Sequence, residues 1–147
     1  MSRPIYETEV DRQWQGAVAA EIGRWLNRPL EALPPLHTFD YVLPAPSTSI
    51  RRAYLEIKVR ERCYALPFIS RAKIDACMAF AVNEEATPLL AMAWLQSGRL
   101  GLVRLRPAVL TTAMRGGRED RDDPLDLEEV YGIDLRHFWV QDWRPAT

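Results

Sequence analysis

Asp40 and the tripeptide Glu56-Ile57-Lys58, which lies within the apolar run Ala53-Tyr54-Leu55-Glu56-Ile57-Lys58-Val59, are the residues of this chain best suited to chemistry. The run reads as a strand. Its side chains therefore alternate, with Ala53, Leu55, Ile57 and Val59 on one side and Tyr54, Glu56, Lys58 and Arg60 on the other. Charges among such neighbours are costly to bury unless they are paired or bind a metal. In the bland case Glu56 and Lys58 form a salt bridge on a sheet surface. With Asp40 nearby they would also make a divalent-cation site acting on phosphodiesters. Mg²⁺ takes hard oxygen ligands and keeps several waters, so two carboxylates and a backbone carbonyl suffice. Asp40, Glu56 and the Ile57 carbonyl would supply them, with Mn²⁺ as a substitute. Lys58 would orient a water or neutralise charge developing on the phosphate.

Several elements must position these groups. Val10, Trp14, Ala17, Val18, Ile22, Trp25 and Leu26 recur at helical spacing and predict a helix over 7–27, stopped by Pro29. Glu21 falls inside its apolar stripe, between Val18 and Trp25. It either sits at the rim of the core paired with an arginine or reaches toward Asp40 and Glu56, with Glu7 as the fallback. A connection rich in proline follows, then a short strand over 39–43. Pro44, Pro46 and Ser47-Thr48-Ser49 provide the turn into a second strand over 51–60, so the two form a hairpin. Ser70 can cap a helix over 71–86 that buries Ile74, Cys77, Met78, Ala81 and Val82. Residues 89–95 read as a central strand covered on both faces, and Ser97-Gly98 turns into a strand over 100–106. Beyond Pro107 the pattern predicts an extended segment over 109–114, a polar loop over 115–124 and an edge strand over 130–135. Phe138, Trp139 and Trp143 would pin the tail to the body.

With 147 residues, 48% of them hydrophobic and 27% charged, the chain reads as one soluble domain, with a core over 7–106 and a C-terminal extension over 107–147. Glu7, Glu9 and Asp11 stand where a signal peptide needs an apolar block, and no apolar run reaches the ~20 residues of a membrane span. A cytoplasmic protein with no membrane partner is expected. Cys63 and Cys77 lack metal-type spacing, so reduced thiols are expected. The net charge is only −1, yet the stretch from Arg51 to Lys73 carries seven basic residues (Arg51, Arg52, Lys58, Arg60, Arg62, Arg71 and Lys73) against Glu56 and Glu61. That centre either faces phosphates, with Arg60 a candidate contact, or is a solvated surface. His37 and His137 accompany no nucleophile elbow, and no Gly-rich loop leads from a strand into a helix.

The order helix, Asp-bearing strand, Glu-x-Lys strand, helix, strand resembles the PD-(D/E)XK nuclease superfamily over about residues 7–106. Phe39-Asp40 stands in place of PD, and Glu56-Ile57-Lys58 in place of (D/E)XK. The resemblance implies an α/β, restriction-endonuclease-like mixed sheet flanked by helices, with an αβββαβ-type core. It also implies Mg²⁺-dependent cleavage of DNA, with Asp40, Glu56 and Lys58 as the catalytic set and Glu21 as an auxiliary metal ligand. Ser70 and Lys73 would lie near the substrate phosphate, and the resemblance implies a homodimer where both strands are cut. Ser70 also serves as a helix cap. Lys73 opposes the helix dipole in the first turn, which makes a phosphate contact worth testing. The segment from Gly116 to Glu128 is similar to one in small phage-encoded proteins of this fold, which implies action in a host cytoplasm. That segment reads either as an arginine and carboxylate network or as a solvated loop. The alternative function is a nuclease-fold module without catalysis that binds nucleic acid or protein. Retention of all three signature residues favours the enzyme, and the neutral net charge favours the module.

Overall fold

The computed structural model describes residues 9–116 and 127–144. Helix α1 (Glu9–Leu26) ends where Asn27 turns to a left-handed φ of 52°, two residues before Pro29. Three strands follow: β1 (Glu31–Ala32), β2 (Tyr41–Leu43) and β3 (Ala53–Arg60). A short β4 (Phe68–Ser70) leads directly into α2 (Arg71–Asn83). Then come β5 (Thr87–Trp94), β6 (Arg99–Arg104), β7 (Thr111–Gly116), β8 (Leu127–Gly132) and β9 (Trp139–Asp142). Two single 3₁₀ turns, Pro107–Val109 and Leu135–His137, join the later strands.

The main sheet has six strands in the order β1-β2-β3-β5-β6-β9. β2 and β3 form the expected antiparallel hairpin, with Tyr41 opposite Leu55 and Leu43 opposite Ala53. β3 and β5 are parallel, with Glu56 opposite Leu90 and Lys58 opposite Met92. A parallel neighbour needs a crossover connection, and β4 with α2 supplies it. β5 is nearly all apolar because both its faces are covered. This is a mixed α/β sheet of the restriction-endonuclease-like kind, and the two-residue β1 completes the αβββαβ core.

The strand alternation in β3 divides the interior into two layers. Leu55, Ile57 and Val59 pack with Val18, Ala19 and Ile22 of α1 and with Ala91, Ala93 and Leu100. Tyr54 faces the other way, with Met92, Trp94, Ile74 and Cys77 of α2, and Ile69, Tyr131 and Phe138. A second sheet, β4-β8-β7, covers this second layer beside α2. Tyr131 of β8 donates to Asp75 Oδ1 of α2 at 2.6 Å, while Arg71 lies over the Tyr131 ring, 5.5 Å from its centroid. These contacts tie the small sheet to the start of α2.

Two parts of the structure depart from the sequence pattern. β4, too short at three residues to display a period, was not expected; by pairing with β8 it joins the strands expected over 109–114 and 130–135 into a second sheet. The C-terminal residues do more than pin a tail: β9 pairs with β6 and forms one edge of the main sheet. Phe138 and Trp143 are buried, but Trp139 is 61% exposed on that edge. Most of the loop expected over 115–124, the arginine and carboxylate segment from Gly116 to Glu128, and Glu7 lie outside the described residues.

Candidate active site

The middle of β3 carries a carboxylate into the second layer. Glu56 is 1% exposed, the one buried charged residue among those described. Exposure rises outward along the same strand face: Lys58 is 27% exposed, and Arg60 is open to solvent at the strand end. Strand geometry puts all three side chains on one face, since alternate residues share it.

Asp40, immediately before β2, is anchored to both backbone neighbours of Glu56. Its N–H donates to the Leu55 carbonyl at 3.0 Å, and its Oδ2 accepts the Ile57 N–H at 2.8 Å. The hairpin register thus delivers the Asp40 carboxylate beside Glu56 with one oxygen already oriented. Two ammonium groups meet Glu56: Lys58 Nζ lies 3.8 Å from Oε1, and Lys73 Nζ lies 3.4 Å from Oε2. Lys73 also donates to the Thr38 carbonyl.

These four charged groups form one electrostatic neighbourhood, sensed by the buried Cys77 one helical turn beyond Lys73. Burial pushes the Cys77 thiol up to about 12; the fields of Glu56 and Asp40 add to the rise, and those of Lys73 and Lys58 oppose it. The Tyr41 hydroxyl is likewise raised, first by burial and then by the adjacent Asp40 charge. Ser70 Oγ accepts the Lys73 N–H at 3.4 Å, so Ser70 acts as the cap of α2.

Asp40, Glu56, Lys58 and Lys73 are therefore brought together, and Ser70 stands at the head of the helix that delivers Lys73. Glu21 is not, which corrects the expectation of an auxiliary ligand. Its helix packs on the Leu55 and Ile57 layer, opposite Glu56, and its carboxylate accepts from Gln141 of β9 at 3.0 Å and pairs with Arg24. β9 lies three strands from β3, about 14 Å at ordinary strand spacing. The rim-and-arginine reading of Glu21 describes its place. Among the basic residues of the centre, Arg52 is engaged with Glu84 and Tyr54, and Arg71 with Asp75, Glu129 and Tyr131. The contacts of Lys73 to Glu56 and Thr38 were not anticipated. Their trace in the sequence is a lysine in the first turn of a helix, one residue before the fully buried Ile74.

Among the described residues no group of three or more His, Cys, Asp or Glu side chains is placed to hold a metal ion. A donor set of two carboxylates plus backbone oxygen suits a hard cation that retains waters, and does not suit a closed zinc site built from nitrogen and sulfur.

An αβββαβ core with Asp before one strand and Glu-x-Lys on the next defines a nuclease-type fold. The chain belongs to the family described as "Phage putative PDDEXK endonuclease", whose model matches residues 1–140. Among solved structures it is similar to Hjc of Archaeoglobus fulgidus, a Holliday junction resolvase from an archaeal hyperthermophile. That likeness has a TM-score of 0.57 at 12% identity and covers 85% of this chain and 84% of the other, which shows the shared fold. No curated protein sequence matches the chain. No helix among the described residues is long and apolar enough to cross a membrane.

Proposed function

We propose that this protein is a divalent-metal-dependent nuclease that hydrolyses phosphodiester bonds of DNA. The observation that carries the reading is the Glu56 carboxylate, 1% exposed, flanked by Asp40 and faced by two ammonium groups. Membership in a phage endonuclease family supports the substrate class, and the likeness to a junction resolvase puts branched DNA among the substrates to try. Asp40, Glu56 and the Ile57 carbonyl would hold Mg²⁺, with Mn²⁺ able to replace it. When bound, the ion supplies Lewis-acid polarisation of the scissile phosphate and a lowered pKa for an attacking water.

The chain's own residues do the positioning. The Ile57 N–H fixes the Asp40 carboxylate, so little rotamer freedom is lost on ligand binding. Lys58, partly exposed, reaches from Glu56 toward solvent and stabilises charge that develops on the phosphate oxygens. Arg60, further out on the same strand face, contacts the flanking backbone, and Ser70 with Lys73 receives a phosphate near the start of α2. As a phage-family protein it would act in the host cytoplasm, as a homodimer where both strands are cut.

The test is cleavage of plasmid, linear duplex, single-stranded and four-way-junction DNA with Mg²⁺ or Mn²⁺, comparing wild type with Glu56→Ala and Lys58→Ala. Metal-dependent cleavage that falls about 100-fold or more in both variants is expected. If all three proteins are equally inactive while wild type still binds DNA, the fold serves as a binding module instead.

A further inference from the structure

We propose that Lys73 is the resident counter-ion of the site and sets how tightly a divalent cation binds, because its ammonium occupies the oxygen surroundings that such a cation would take. The inference rests on the metal-site reading above. Lys73 Nζ lies 3.4 Å from Glu56 Oε2 and donates to the Thr38 carbonyl, which belongs to the segment leading into Asp40. A carboxylate and a backbone carbonyl are hard oxygen donors, the kind that Mg²⁺ and Mn²⁺ prefer. The ammonium thus sits among the donors expected of the metal.

Glu56 needs a positive partner, since a buried carboxylate is costly without one. Lys58 meets that need only partly: it is 3.8 Å from Oε1 and more exposed than Lys73, at 27% against 19%. Of the two lysines Lys73 is the nearer and the less exposed, and it is placed in the first helical turn despite the opposing dipole. Its 3.4 Å approach is longer than the roughly 2.7–2.9 Å of a charge-assisted hydrogen bond, so Glu56 is held by charge while Thr38 takes the hydrogen bond. Lys73 can then keep a bonded resting place when Glu56 turns to another cation. An incoming dication must displace the ammonium from Oε2 and is repelled by it, which lowers its affinity.

Mn²⁺ titration followed by electron paramagnetic resonance of the free ion tests this on wild type, Lys73→Met, Lys73→Gln and Lys58→Met, each checked for folding by thermal melting. The glutamine amide can keep the Thr38 contact without charge, and serves if the methionine variant does not fold. Both Lys73 variants should bind Mn²⁺ about tenfold tighter than wild type or better, and Lys58→Met should gain less. A folded Lys73 variant that binds no tighter than wild type overturns the inference. So does an equal gain in Lys58→Met, since net charge rather than the Thr38 and Glu56 cradle would then be responsible. Absence of Mn²⁺ binding in wild type and all variants overturns the metal-site reading together with it, whereas wild-type binding unaffected by Lys73 overturns this inference alone.

Discussion

The Asp40 carboxylate accepts the backbone N–H of Ile57, the central residue of the Glu56-Ile57-Lys58 element, at 2.8 Å. One side chain thereby serves strand pairing and the site at once, and substitutions can separate the two roles. Asp40→Asn keeps an acceptor oxygen for Ile57 but loses the charge. Asp40→Ala loses both and leaves a partly buried N–H unpaired, at about 1–2 kcal/mol. Both variants should lose cleavage. Only the alanine variant should show a clearly lower unfolding midpoint in urea.

Cys77 predicts an alkaline limit on stability. Its folded-state pKa is raised from 9.0 to about 12, chiefly by burial, so the native state holds its proton more tightly than the unfolded state does. Stability from this group is complete below pH 9 and is lost progressively as pH rises toward 12. Urea titrations across that range should show a shallower loss for Cys77→Ala than for wild type, even though its stability at neutral pH is lower from the missing side chain. At pH 8 the folded protein should protect Cys77 from thiol reagents.

Tyr131→Phe removes the 2.6 Å hydrogen bond to Asp75 and leaves the ring under Arg71. The bond joins a buried residue to an exposed carboxylate, so the loss should be modest, about 0.5–1.5 kcal/mol by denaturant unfolding. Since Tyr131 and Asp75 are not among Asp40, Glu56, Lys58 and Lys73, cleavage per folded molecule should stay within about twofold of wild type.

Arg60 lies on the Glu56 face at the open end of β3 and should contact the phosphate backbone without reading bases. Arg60→Ala should weaken binding of unrelated DNA sequences alike and reduce the slope of log affinity against log salt by about one. Fluorescence anisotropy at several salt concentrations measures it. An unchanged slope would remove Arg60 from the nucleic-acid path.

Much of this architecture was legible in the sequence because long elements carry their own period. α1, β3, α2 and β5 lie within a few residues of their expected bounds, since each buries a stripe or face that the pattern displays. β1, β4 and β9, of two to four residues, were not legible, because each is too short to display a period and β4 and β9 pair with strands distant in sequence. Glu21 shows the other limit. Helical angle set it between Val18 and Trp25, both of which pack in the Leu55 and Ile57 layer, but no local pattern tells which layer of a sheet a helix covers. α1 covers the layer opposite Glu56. Lys73 could be noted only as an oddity of the helix dipole, and its bond to Thr38 is a contact across 35 residues that no spacing rule contains.

The central claim is that Asp40 and Glu56 hold one divalent ion. A crystal grown with Mn²⁺ and measured at the manganese absorption edge tests it most directly. One anomalous peak bonded to oxygens of both carboxylates, at about 2.1–2.2 Å, is predicted. A well-ordered site that shows no peak, or a peak bonded to neither carboxylate, would contradict it.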